Sequence, residues 1–224
     1  MKLGSDTKQR LLDTTSTLLW EQSYGAVSVD DICRKSGTAK GSFYHFFESK
    51  SALVVASAEE LWQQIRPELD RIFSPQISPL ERFTVFADFI YEMQKKKRKE
   101  TGKICGCPFA SIGSEMSTLD ERIQMESEQI LERFCRYFSA ALIEGGKCGV
   151  LPDFDPDAKA RELYSCVMGT LVEAKIRNSL DVVRQLKGRL LKMIEAPAAH
   201  SKTCGVSREP APSTQTKRPK HSRR

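Results

Sequence analysis

The chain has 224 residues, 35 Lys+Arg against 29 Asp+Glu, and a formal net charge of +6. Its hydrophobic fraction of 40% and charged fraction of 29% suit a globular chain with a real core. No apolar run approaches the roughly 20 residues of a membrane span, and the N-terminal stretch turns polar at once. The expectation is a cytoplasmic protein rather than a membrane, secreted or disordered one.

Strand signals are nearly absent and helical periodicity runs almost throughout. The spacing predicts a first helix over about 6–23, with Leu11, Leu12, Leu18 and Leu19 on one side. Ser28 and Asp31 form a capping-box pattern that starts a second helix through Lys35. Gly37 forces a turn, and a short third helix runs over about 38–46. Ser49 caps a fourth, expected to stop near Pro67, because proline cannot continue the hydrogen-bond ladder. A Ser- and Pro-containing linker at 74–79 leads to helix five, about 79–98.

Residues 102–108 read as a break, followed by a short helix six over about 108–115. Helix seven spans about 118–144 and carries the stripe Ile130, Phe134, Phe138, Leu142, with Gly145 and Gly146 opening a loop. Helix eight, about 156–177, is apolar nearly all round at Leu163, Tyr164, Val167, Met168, Leu171 and Val172. Helix nine, about 180–195, shows Val183, Leu186, Leu190 and Ile194. A helix apolar on most sides must be covered on most sides. A homodimer through helices eight and nine is therefore expected, with Leu171 and Leu190 at the seam.

Residues 198–224 hold seven bases and one acid, which leaves 28 bases and 28 acids in residues 1–197. The tail thus carries the whole charge excess, and it reads as disordered for want of apolar residues to bury. A DNA-binding claim for the neutral body must rest on a local motif.

That motif lies in residues 28–53: short helix, glycine turn, short helix, capped helix, the layout of a helix-turn-helix. Phe43 and Phe47 lie i,i+4 apart on one face, Lys40 and Tyr44 on another. Thr38, Ala39, Gly41 and Ser42 are small enough to allow close approach to another surface. Over residues 6–53, including Lys-Gly-Ser-Phe-Tyr and Phe-x-Ser-Lys, the chain resembles the DNA-binding domain of the TetR family of bacterial transcription regulators. The resemblance implies an all-α protein in two working parts. Residues 1–50 would form a three-helix helix-turn-helix domain and residues 51–197 a helical effector-binding and dimerisation bundle, followed by the tail. It places helix three in the major groove of double-stranded DNA. Thr38, Ala39, Ser42 and His45 would lie near base edges, with Lys40, Tyr44, Lys50 and Ser28 on phosphates. Cys33 and Phe46 stand where the family more often has alanine and tyrosine.

Seven cysteines, an odd number without a regular framework, speak against structural disulfides. Cys135 and Cys166 fall on apolar stripes and Cys33 on the inner face of the motif; Cys148 lies in a glycine loop. Cys107 sits in a break, near Lys103 and just before Pro108, a setting that lowers a thiol pKa. Cys105 is its possible partner. The Gly-Cys pair resembles one branch of the family that includes electrophile-responsive members. No catalytic constellation, cofactor motif or paired metal-ligand spacing appears. Glu115 and Asp120 read as plain helix-surface carboxylates. The Lys95–Lys99 run reads as a solvated helix end. The expected function is a repressor released from a palindromic operator by a small ligand or by cysteine modification. The alternative is a sensing helical protein that acts mainly through protein partners.

Overall fold

The computed structural model describes residues 2–152 and 154–195, with side chains from residue 6 onward; the basic tail lies outside the described residues. Among the described residues ten helices follow in order: α1 Lys2–Glu21, α2 Val29–Ser36, α3 Lys40–Phe46, α4 Lys50–Ile72, α5 Pro79–Thr101, α6 Pro108–Met116, α7 Glu121–Lys147, α8 Pro156–Arg177, α9 Leu180–Arg184 and α10 Leu186–Glu195. The fold is all-α, as the periodicity indicates.

Local chemistry sets most of the helix starts. Ser28 and Asp31 close a reciprocal capping box on α2, and Gly37 ends it at φ 66°, a left-handed position that favours glycine. Ser49 accepts from Ala52 N on α4, Asp120 accepts from Arg122 N and Ile123 N on α7, and Asp155 caps α8. Asp120 is therefore a cap, not an idle surface carboxylate.

Three expected boundaries are corrected. Proline does not stop α4: Pro67 lies inside it, and the helix continues to Ile72. Leu69 and Ile72 are both fully buried beyond it, and that burial outweighs one lost ladder bond. Gly145 and Gly146 lie in the last turn of α7, not in a loop. A Cβ at Gly145 would stand 2.4 Å from Leu151 Cδ1, so the glycine lets the following chain fold back onto the helix. The ninth expected helix is two, because Gln185 N bonds back to Val182 O in a tight turn between α9 and α10.

Two cores and a seam result. Leu11, Leu18, Ile32, Phe43, Phe47 and Leu53 form a small core under α1–α3 and the start of α4. A larger core joins α4, α5, α7, α8, α9 and α10 around Phe83, Phe86, Phe138 and Leu163. Between them Leu19, Val54, Ile112 and Ile123 pack as a separate cluster, so α1, α4, α6 and α7 meet at the seam. α4 passes through all three. Among the described residues no helix is long and apolar enough to cross a membrane.

Candidate DNA-contact face and effector cavity

Phe43 is the one buried residue of α3. It packs edge-on to Tyr44 at 5.0 Å between ring centroids and tilted to Phe47 at 6.2 Å. This single anchor seats the short helix and turns its other residues outward. Ala39, Lys40, Gly41, Tyr44 and His45 are exposed, Ser42 and Thr38 half-buried. The expected base-facing and phosphate-facing residues of α3 therefore share an open surface.

Lys40 Nζ lies 2.9 Å from Asp30 on α2, and this bond raises its pKa. Both groups are exposed, so the pair contributes little and can exchange for a phosphate. Thr38 Oγ1 lies 2.8 Å from Ser36 Oγ. Ser28 Oγ accepts from Asp31 N and donates to Asp31 Oδ2 at 2.5 Å.

Lys50 departs most from its expected phosphate role. Its Nζ donates to Tyr24 O at 3.0 Å and Val27 O at 2.8 Å, and lies 3.7 Å from the centroid of the Tyr24 ring. Burial lowers its pKa. With two of three donors used inside the fold, Lys50 pins the α1–α2 turn to the start of α4. Ser28 is likewise occupied by its capping box.

Glu115, expected to be idle, supplies the matching grip from the other side. Its carboxylate accepts from Tyr24 N and Gly25 N, each at 2.8 Å. A Cβ at Gly25 would come within 3.1 Å of Glu115 Oε1, so the close approach uses the glycine. The turn is thus held between a carboxylate on α6 and an ammonium on α4. No spacing in the sequence signals a contact across 91 positions. Arg122 on α7 adds a second link by pairing with Glu48 beside α3.

The other end of α6 borders a narrow, almost wholly apolar cavity of about 30 Å³, with Phe86, Phe134, Phe138, Tyr164 and Met168 among its walls. Gly106 at φ 75° has both backbone groups taken by the Gln94 amide, at 2.8 and 3.1 Å, which fixes the Cys105-Gly106-Cys107 segment. Cys107 lines the cavity and Cys105 an open cleft of about 640 Å³ between α1 and the end of α5. The two thiols serve different hollows and do not form the expected pair. Burial pushes the Cys107 thiol up, against lowering contributions from backbone bonds of Ala110 and Phe109 and from Lys175. Desolvation thus opposes the activation expected from the helix start, at a thiol that stays half-buried rather than sealed off. Burial raises Cys135 in the same way, and Cys148 is exposed.

Two residues expected at the dimer seam turn inward instead. Leu171 is 2% exposed and Leu190 fully buried within the protomer. Val172 and Ile176, 52% and 79% exposed, form the apolar surface that α8 leaves open.

Comparison with known proteins supplies the frame. Residues 11–57 match the profile of bacterial regulatory proteins of the tetR family, and residues 79–188 that of a tetracyclin repressor-like C-terminal domain. The transcriptional regulator AcuR of Cereibacter sphaeroides is 30% identical over 160 residues, covering 70% of this chain and 71% of its own. The HTH-type transcriptional repressor NemR of Escherichia coli is 24% identical over 200 residues, covering 86% of this chain and 96% of its own. The crystal structure of a regulatory protein TetR from Rhodobacter sphaeroides superposes with a TM-score of 0.74 at 27% identity, covering 83% of this chain and 97% of that one.

Proposed function

The chain belongs to the tetR family of bacterial regulatory proteins and is a DNA-binding transcriptional regulator, not an enzyme; from that premise we propose how its parts divide the work. Members bind DNA, act as dimers and answer small-molecule effectors. In this chain α3 reads a palindromic operator, with Thr38, Ala39, Ser42 and His45 toward base edges and Lys40 and Tyr44 on phosphates. The observation that carries this reading is the exposed face that Phe43 turns outward on α3. The protein acts as a repressor, as the name of the similar Escherichia coli protein suggests, and works in the cytoplasm. Two protomers pair through α8 and the α9–α10 segment, with Val172 and Ile176 in the seam. Two recognition helices then fall about 34–36 Å apart, one turn of the duplex.

The effector takes the apolar cavity. No charged side chain lines it. Gln94 is committed to Gly106, which leaves the Tyr164 phenol, the Cys107 thiol and the Trp20 indole N–H as polar features. A small neutral apolar ligand fits that chemistry. A ligand held there without covalent attachment accords better with the raised Cys107 pKa than thiol modification does.

Selection from random duplexes tests the DNA reading: recovery of a palindrome supports it, and recovery of none at moderate salt overturns it. Alkylation with iodoacetamide followed by peptide mapping tests the ligand reading. Cys148 is expected to react well before Cys107; the reverse order would restore the thiol as the sensor.

A further inference from the structure

Resting on the reading of the apolar cavity as the effector site, we infer that Trp20 is its moving wall, so that a residue of the DNA-binding unit touches the effector directly. The cavity holds about 30 Å³. An apolar cavity known to take benzene measures about 150 Å³. Any organic effector therefore requires a wall to yield. The remaining walls come from α4, α5, α7, α8 and the segment that opens α6, and most of them pack into the large core. Displacing them presses on close-packed neighbours, which costs free energy.

Trp20 differs. It is 7% exposed and extends from α1 across the seam. It lines the cavity, the cleft of about 640 Å³ and a groove of about 330 Å³ beside α4 and α5, and is common to all three. Leu61, Ile65 and Met93 are shared by the cavity and the groove. The indole therefore borders open volume on its outer sides, toward which it can swing at less cost to packed core atoms than the other walls. Lys97 Nζ stands 5.5 Å from its ring centroid, a cation–π contact that is broken and re-formed as the ring moves. The next residue back, Leu19, packs with Val54, Ile112 and Ile123 in the seam. A swing of Trp20 thus loads the α1 turn that carries Leu19, and α1 packs against α2 and α3. Occupancy reaches the recognition helix through the chain that lines the site.

The test uses bromobenzene, a neutral apolar probe whose bromine quenches indole emission on contact, and the full-length Trp62→Phe variant, in which Trp20 is the sole tryptophan. Three readouts are taken: melting temperature, Trp20 emission, and affinity of otherwise wild-type protein for a selected duplex. Expected are a rise in melting temperature, saturable quenching over the same probe range, and a fall in DNA affinity of about fivefold or more. In Trp20→Ala the probe should still raise the melting temperature while DNA affinity changes less than about twofold. Trp20→Phe serves as the second variant if the alanine protein does not fold, and should retain only part of the DNA response. A raised melting temperature with unchanged Trp20 emission overturns the moving wall but leaves the cavity as the effector site. Full DNA coupling in Trp20→Ala overturns the route through α1. No rise and no quenching overturn both the wall and the effector reading beneath it.

Discussion

Residues 36–46 and residues 104–116 are segments of similar length with opposite logic. The first ends in α3, whose single buried side chain, Phe43, leaves the rest facing outward. The second ends in α6, which is gripped at both ends. Gln94 fixes Gly106 before its start, and Glu115 near its finish holds the Tyr24–Gly25 amides. One segment is built to meet something outside the protein, the other to connect two parts of it. On the proposed reading, the contrast lets DNA contact and effector response be altered separately.

The largest expected effect breaks the outward-facing segment from within. Phe43 is fully buried, so Phe43→Ala should cost about 3–5 kcal/mol and unfold the small core, abolishing DNA binding. Its neighbour Tyr44 is 53% exposed. Tyr44→Ala gives up only the edge-on contact with Phe43 and should lower the melting temperature by no more than about 4 °C, yet weaken binding to all duplexes. Calorimetry beside a gel shift separates the two. A Tyr44→Ala protein that melts early would place Tyr44 in the core rather than on the DNA face.

A dimer test sharpens the comparison next. Ile176→Glu alters a side chain that its own protomer leaves 79% exposed. In isolation the change is nearly neutral, whereas in a seam it buries an unpaired charge. Light scattering should fall from about 50.6 to 25.3 kDa, twice and once the chain mass. A persistent dimer would move the seam elsewhere.

The connecting segment yields a smaller loss of a different kind. Glu115→Ala removes two charge-assisted hydrogen bonds, at a cost of about 2 kcal/mol. Hydrogen exchange should speed up at the Tyr24 and Gly25 amides while the large core stays protected. The response of DNA affinity to a cavity ligand should shrink as well. Unchanged exchange at those two amides would show that the clamp is not formed in solution.

The same contrast explains what could be read from the sequence. The helix-turn-helix was legible because its signals are local: a capping box spanning four residues, a glycine at a left-handed turn, aromatic residues one helical turn apart. α8 was legible to the residue because Asp155-Pro156 starts it and Asn178 ends it at φ 48°. The reach of α4 past Pro67 was not, since only burial of Leu69 and Ile72 from distant helices decides it. Cys107 misled for a related reason. A helix start and a nearby lysine are visible in the sequence; the apolar walls that desolvate the thiol are not. Lys50 was matched by motif position, and its carbonyl partners come from the turn packed against it. Glu115, Trp20 and the exposed Val172–Ile176 surface all belong to this class, being defined by what packs around them.

The smallest expected effect lies where α4 meets α7, and it depends on pH. Burial raises the Glu126 pKa, and the nearby Glu59 charge adds to the shift, while Arg133 opposes it. One oxygen of Glu126 is buried without a partner. Burial also works to raise Glu59, but bonds from Arg133 and Gln63 outweigh it and hold Glu59 low. A raised folded-state pKa means that the native state favours protonated Glu126. That contribution is complete below the unfolded carboxyl pKa and is lost as pH rises through the folded value. At pH 8 the ionised group is therefore a liability, which Glu126→Gln removes while its amide can donate to Glu59. The melting temperature should rise by about 2 °C at pH 8, and the gain should shrink steadily as pH falls toward 4. Glu59→Gln should do the reverse, losing stability at pH 8, because it gives up the charge that pairs with Arg133. If Glu126→Gln gives a gain that does not vary with pH, the carboxyl is not the titrating group, and improved packing between α4 and α7 is the cause.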